Sequence, residues 1–267
     1  MTYNSHRSST KGALVDEYFE VYCPDSITPY HSTLLPVAMP SITYIKDGLF
    51  RAKTPNNDYT LDGIILTGQF YRAYNMEIND AYKAAGITLH PTTLYKLLNT
   101  DISKFSNKYT ALEHVSEQLS ETITAIIETG VTGKKALLAM EKALKPLVKV
   151  NDSNVQQIDL AVNTIIKKKG LLSVSELMSD MNISQKTLES QFKKMVGLTP
   201  VRFIKLKRFI NLMRQYENQD INLKNLIFKY NYYDEAHFYK DFKLFMNETP
   251  KNYFTSETDF IKKYINR

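Results

Sequence analysis

The side chains best suited to chemistry in this 267-residue chain are scattered where catalysis would gather them, and gathered where anion binding would use them. His6, His31, His90, His114 and His237 form no His-x-His or His-x-x-x-His pair, the local signature of a metal-dependent cupin-like enzyme with its following Glu. Cys23 is the single cysteine, which excludes an intrachain disulfide, a thiol redox pair and a Cys-based zinc site. It reads as a small buried hydrophobe. Neither a Gly-rich phosphate loop nor a Gly-x-Ser-x-Gly elbow is present. No catalytic residue, metal or cofactor is therefore expected. The cations stand apart. Between Ser184 and Arg214, Lys186, Lys193, Lys194, Arg202, Lys205, Lys207, Arg208 and Arg214 oppose only Glu189. A solvated helix face explains such a cluster as readily as a phosphate-binding surface does, so pattern has to separate the two.

Charge divides along the chain. Residues 1–150 carry 15 Lys and Arg against 15 Asp and Glu, and residues 151–267 carry 19 against 13, so the whole formal charge of +6 lies in the second part. An apolar content of 43% and a charged content of 23% are ordinary for a soluble globular protein, and the length suits two domains, each with its own core. No stretch approaches the ~20 apolar residues that span a bilayer, and Met1–Lys11 is polar, so a cytoplasmic protein is expected.

The elements that must position the cations come from an internal repeat. Leu188 to Phe203 and Phe238 to Tyr253 align at a constant offset, with like residues at Phe192/Phe242, Lys193/Lys243, Thr199/Thr249 and Pro200/Pro250. Each copy reads as helix, tight turn, helix, over 174–196 and 222–245. In the first, Leu177, Met178 and Met181 share one face, Asn182-Ile183 breaks the pattern, and Ser184 caps a helix with Leu188, Phe192 and Met195 inward. In the second, Leu223, Leu226, Ile227 and Tyr230 precede the Asn231-Tyr232-Tyr233 turn, the Asp234 cap, and inward Phe238, Phe242 and Phe245. A turn between helices needs a residue near the left-handed region, and Asn182 and Asn231 occupy those points. Val201–Glu217 reads as one linking helix, apolar on one side and basic through Arg202, Lys205, Lys207 and Arg208 on the other. Such a helix is about 25 Å long and can hold two reading helices near the ~34 Å spacing of successive major grooves.

Two outward faces follow. Lys186, Glu189, Ser190 and Lys193 project from the first reading helix, and Glu235, Ala236, Tyr239 and Lys240 from the second. Glu accepts from cytosine N4, Lys meets guanine O6 and N7, and Ala touches a thymine methyl, while phosphate contact or plain exposure remains open for each. The cations of the linking helix suit positioning on phosphates better than base reading, with plain solvent exposure the alternative for some of them.

These residues resemble the AraC/XylS family of transcription regulators over about 155–256. The resemblance rests on the lead helix Ile158–Lys169, on Ser175-Glu176-Leu177, and on Ser184 to Lys193. It continues through Gly197-Leu-Thr-Pro200, the linking helix, Asp234 to Lys243, and Pro250-Lys-Asn-Tyr253. It implies a seven-helix, sequence-specific DNA-binding domain, an activator role, duplex DNA as partner, and RNA polymerase as a further candidate partner. The candidate DNA-binding set is Ser184, Gln185, Lys186, Glu189, Ser190, Lys193, Arg202, Lys205, Lys207, Arg208, Asp234, Glu235, Ala236, His237, Tyr239, Lys240 and Lys243. Departures fall on the reading faces: Ser190 stands where an Arg is common, Asn231-Tyr232 replaces Gly-Phe, and Lys240 replaces Arg. The base preference therefore cannot be carried over.

Residues 1–150 read as an α+β companion: a β core to about 90, then helices over 91–150. Strands are expected at Tyr18–Tyr22, Ser41–Lys46, Leu61–Thr67 and Ala84–Leu89, with Asp47-Gly48 as a hairpin turn. Thr110 with Glu113 is expected to cap one helix, and Lys134–Lys149 forms a second. Ala85 to Leu98 resembles a sensor-like domain found ahead of such DNA-binding modules, which implies a small cupin-like β-barrel. Its aromatic residues suit either a core or a pocket for a small-molecule effector. Ala111–Lys149 serves either as core or as the interface of a homodimer. A cupin-like metal-dependent enzyme fused to a DNA-binding domain, and a nonspecific architectural DNA binder, are the alternatives.

Overall fold

In the computed structural model, which describes residues 1–179, 181–218 and 222–255, the chain begins as an antiparallel eight-stranded sheet. Its strands are β1 (Thr2–Arg7), β2 (Val15–Cys23), β3 (Tyr30–Leu34), β4 (Ser41–Lys53), β5 (Asp58–Thr67), β6 (Tyr74–Ile78), β7 (Tyr82–Leu89) and β8 (Tyr109–Ala111). The path runs β1-β2-β7-β4-β5-β8, with β6 bridging β4 and β3. β4 produces the curl: Ser41–Ile45 lies between β7 and β5, whereas Arg51–Lys53 pairs with β5 and β6. The result is cupin-like but does not close, because β1 and β8 remain the two ends of the path.

Asp47-Gly48 is not a hairpin turn. It lies inside β4, where the register shifts between Ile45 and Phe50. Gly48 has φ +77°, and a Cβ there would come 2.3 Å from the Ala81 carbonyl oxygen. An Asp-Gly pair supplies positive φ equally well to a bulge and to a two-residue turn, so local sequence does not separate them. The chain reverses instead at Thr54–Asn57, where the Thr54 N–H and hydroxyl both donate to the Asn57 carbonyl. The strands not foreseen are β1, β3, β6 and β8. β1 and β3 are short and largely polar, and β8 has three residues. β6 does alternate, Tyr74, Met76 and Ile78 against Asn75 and Glu77, but over five residues only.

Three helices follow the sheet: α1 (Thr93–Leu98), α2 (Glu117–Glu128) and α3 (Gly133–Leu144). Thr110 and Glu113 do not cap α2. Thr110 lies in β8, a 3-10 turn spans Leu112–His114, and Ser116 accepts the Leu119 N–H to start the helix. α3 ends before Lys149 because Pro146 enters a 3-10 turn at Lys145–Leu147. The Glu141 carboxylate on α3 accepts the N–H groups of Leu14 and Val15, both at 3.0 Å, and so fixes α3 to the sheet.

The later helices are α4 (Ser153–Lys167), α5 (Val174–Met178), α6 (Gln185–Val196), α7 (Pro200–Asn218), α8 (Leu223–Lys229), α9 (Glu235–Met246) and α10 (Pro250–Thr255). Asp152 caps α4, and Ser173 with Glu176 forms a capping box on α5. α5–α6 and α8–α9 are the two helix-turn-helix units, joined by α7. Asn231 has the left-handed φ of +56° expected of it; Asn182 is not among the described residues of positive φ. The repeat is exact where α6 and α9 end: Gly197 at φ +89° and Asn247 at φ +59° are the left-handed caps. Thr199 and Thr249 then accept the N–H groups of Arg202 and Asn252.

The expectation of two separate cores gives way to one shared core. A continuous cluster of buried side chains runs from Leu14, Ile42 and Leu89 through Ile123 and Ile158 to Phe203, Phe209 and Phe242. A second, smaller cluster lies within the curl of the sheet and includes Cys23, Ile45, Met76 and Tyr82. Among the described residues, no helix is long and apolar enough to cross a membrane.

Candidate nucleic-acid interface

Both reading helices begin with a side-chain cap. Ser184 accepts the Thr187 N–H at 3.1 Å, and Asp234 accepts the His237 N–H at 2.7 Å. Past the caps, Lys186, Glu189, Ser190 and Lys193 are exposed on α6, and Ala236, Tyr239, Lys240 and Lys243 on α9. Gln185 donates to Glu189 at 2.8 Å, which braces one face of α6. Glu235 lies 3.9 Å from Lys224 of α8, and the half-buried His237 ring stands edge-on to Tyr232 at 5.2 Å. Tyr233 was not anticipated as part of this surface. It is 86% exposed, directly before the Asp234 cap. The signal was the Tyr-Tyr pair in the turn: Tyr232 is buried, and its neighbour faces away from the core.

The linking helix departs from its expected division into an apolar and a basic side. Lys205 and Arg208 each reach the Asp241 carboxylate at 3.3 Å, and the Arg208 guanidinium also lies 4.3 Å over the Tyr232 ring. Lys207 donates to the Val37 carbonyl at 3.4 Å, and Arg202 lies 4.4 Å over Tyr71. All four cations thus have partners within the chain. The reason is that α7 is surrounded: Phe203, Leu206, Phe209, Leu212 and Met213 point in several directions and all are buried. Asp241 was also missed. It is an acid on the inward face of α9 between Phe238 and Phe242, where an apolar residue would be expected, and two cations gather on it. Burial, and then the Asp241 carboxylate, hold the Tyr232 phenol well above its usual range, so it stays protonated.

Residues 177–256 match the family model of a helix-turn-helix domain. They are an AraC-type helix-turn-helix domain. The AraC-type domain makes the chain a DNA-binding transcription regulator. No match is found among curated proteins. Among solved structures, the chain is similar to ToxT from Vibrio cholerae, at 16% identity over 95% of this chain and 97% of that one, with a TM-score of 0.44. It is similar also to ToxT from Vibrio cholerae O395 bound to (E)-4-(8-methylnaphthalen-1-yl)but-3-enoic acid, at 15% identity over 95% and 98% of the two chains, with a TM-score of 0.45. The AraC-like transcriptional activator CuxR aligns at 13% identity over 75% of each chain, with a TM-score of 0.29.

Beside the AraC-type domain, the curl of the sheet encloses a cavity of about 120 Å³. Phe19, Ile45, Ile65, Met76 and Tyr82 line it from successive strands, and Phe70 and Tyr109 form an aromatic corner with ring centroids 5.0 Å apart. Val37, Met39 and Thr88 also border a second, polar cleft of about 120 Å³. There Arg7 of β1 and Lys207 and Arg214 of α7 face Asp16 and Glu17 of β2. An apolar chamber thus adjoins a cleft of mixed charge, with three cations against two carboxylates, and α7 contributes two of the cations. Among the described residues, no group of three or more His, Cys, Asp and Glu side chains is placed to hold a metal ion.

Proposed function

We propose that this regulator acts in the cytoplasm as a sequence-specific reader of two neighbouring major grooves, with α6 in one and α9 in the next. The observation that carries this reading is the pair of exposed faces on capped helices at the two ends of α7. Nineteen residues make α7 about 28 Å long, close to one turn of B-DNA. Lys186, Glu189, Ser190 and Lys193 read one half-site and Ala236, Tyr239 and Lys240 the other, while Lys243 meets phosphate. Ser184 and Asp234 act as caps, so their share in recognition is to aim the helix N-termini. The curled sheet binds, and does not transform, a small amphiphile with an apolar body and an anionic head. The chamber takes the body, and Arg7, Lys207 and Arg214 favour the head.

Selection of bound duplexes from a random pool by the full-length protein tests the DNA reading. Enrichment of two half-sites about 10 bp apart is expected, and Lys240→Ala should relax preference in one half-site only. Failure to enrich any sequence at modest salt would end the reading.

A further inference from the structure

The end of each reading helix is held by the sheet domain, and it is held at repeat-equivalent points. In the last turn of α9, the Phe245 carbonyl accepts the Ala73 N–H at 2.6 Å, and the Asn247 amide donates to the Ala73 carbonyl at 2.7 Å. Fifty residues earlier, the Gly197 carbonyl at the end of α6 accepts the Ser106 hydroxyl at 2.6 Å. Last-turn carbonyls have no partner within their own helix, so the bond to Phe245 fills a vacancy that every helix end presents, while the other two hold the left-handed cap residues Asn247 and Gly197. A single substructure provides both grips. Gln69–Ala73 and Ser106–Asn107 are bound to each other, because the Asn107 N–H donates to the Gln69 carbonyl and the Asn107 side chain accepts the Tyr71 N–H, both at 3.1 Å. Gly68 permits the approach, since a Cβ there would lie 1.8 Å from the Phe105 carbonyl oxygen. The same segment faces the cavity: Phe70 lines it, Tyr71 lies under Arg202, and Ala73 grips α9.

We propose that Gln69–Ala73, braced by Ser106–Asn107, is a positioning clasp that sets the separation of the two reading helices. The clasp links that separation to the wall of the cavity through Phe70. The α7 strut fixes only one connection between the two units. A rigid pair requires a second, and the clasp is the second. This inference rests on the regulator reading above, and the experiment separates the two.

The probe is the duplex that the unaltered full-length protein selects from the random pool, together with versions carrying one, two or three base pairs inserted between the half-sites. The variant is Ser106→Ala with Asn247→Gly, which removes the side-chain grips while glycine keeps the left-handed cap. The unaltered protein should lose tenfold or more in affinity at the two-base-pair insertion, and the variant less than threefold. Both should bind a duplex with one half-site within twofold of each other, which a general folding defect would not allow. If the double variant fails to melt cooperatively, Ser106→Ala alone should still show a smaller loss of discrimination. Equally sharp spacing discrimination in the unaltered protein and the variants would overturn the clasp, because α7 alone would then set the separation. A pool with no enriched duplex would overturn the regulator reading and this inference together.

Discussion

Gln69 is fully buried beside Gly197, and neither its side-chain Nε2 nor its Oε1 has a protein hydrogen-bond partner. A buried amide without partners loses its hydration and gains nothing in return, at about 1–3 kcal/mol for each unsatisfied group. Methionine has nearly the same length and no such group. Gln69→Met is therefore expected to stabilise the protein by about 1–2 kcal/mol in urea unfolding. A loss of stability would mean that the amide has a role the geometry does not show. Asp241 is the opposite case at the same scale. It too is buried, but Lys205 and Arg208 satisfy it, and removing it would strand two cations.

Among the elements, the joint between β7, α1 and α4 carries a titratable group. The His90 ring contacts Thr92 at 2.9 Å and Asn163 of α4 at 3.2 Å, and Asp159 of α4 accepts from Lys96 at 2.6 Å. Burial holds the imidazole below its ordinary range; the Asp159 and Asp16 carboxylates oppose the shift and the Lys96 ammonium adds to it. The folded state thus binds fewer protons than the unfolded chain as pH falls through the ordinary histidine range near ~6.5. The stability that neutral His90 contributes is present above that range and is lost below it. Melting temperature should fall between pH 7.5 and pH 5.5, and His90→Gln should remove most of that slope. An unchanged slope in the variant would place the pH dependence elsewhere.

At the scale of the whole molecule, the shared core and the mixed-charge cleft make the sheet and the AraC-type domain one mechanical unit. A ligand that fills the chamber and places an anion against Lys207 and Arg214 touches both parts at once. Decanoate should raise the melting temperature of the full-length protein. A ligand at a hundred times its Kd stabilises by about 2.7 kcal/mol. Lys207→Ala with Arg214→Ala should abolish most of that shift, and decan-1-ol should produce less of it than the acid. Equal shifts from acid and alcohol would show that the cations do not select the head group.

The features legible in the sequence were those whose physics is local. The apolar period of 3.6 and the offset between Leu188–Phe203 and Phe238–Tyr253 located both helix-turn-helix units. Ser184, Asp234, Gly197 and Pro200 marked ends that obey capping rules within one turn. Alternation over Ser41–Lys46 located the first part of β4, and the strands expected at Tyr18–Tyr22, Leu61–Thr67 and Ala84–Leu89 fall within β2, β5 and β7. The remainder depended on partners distant in the chain. Asp47-Gly48 became a bulge because β4 continues on into pairing with β6, and α2 starts at Ser116 because β8 claims Thr110. Arg202, Lys205, Lys207 and Arg208 look alike in sequence, yet Tyr71, Asp241 and Val37 draw them to different sites. The sequence by itself determined the two helix-turn-helix units, since helix periodicity, caps and turns are written in neighbouring residues. Only the tertiary structure decided which of their cations remain outward and where the clasp grips them, because burial and pairing are set by residues well beyond the local turn, from 33 positions away for Arg208 and Asp241 to 174 for Ala73 and Asn247.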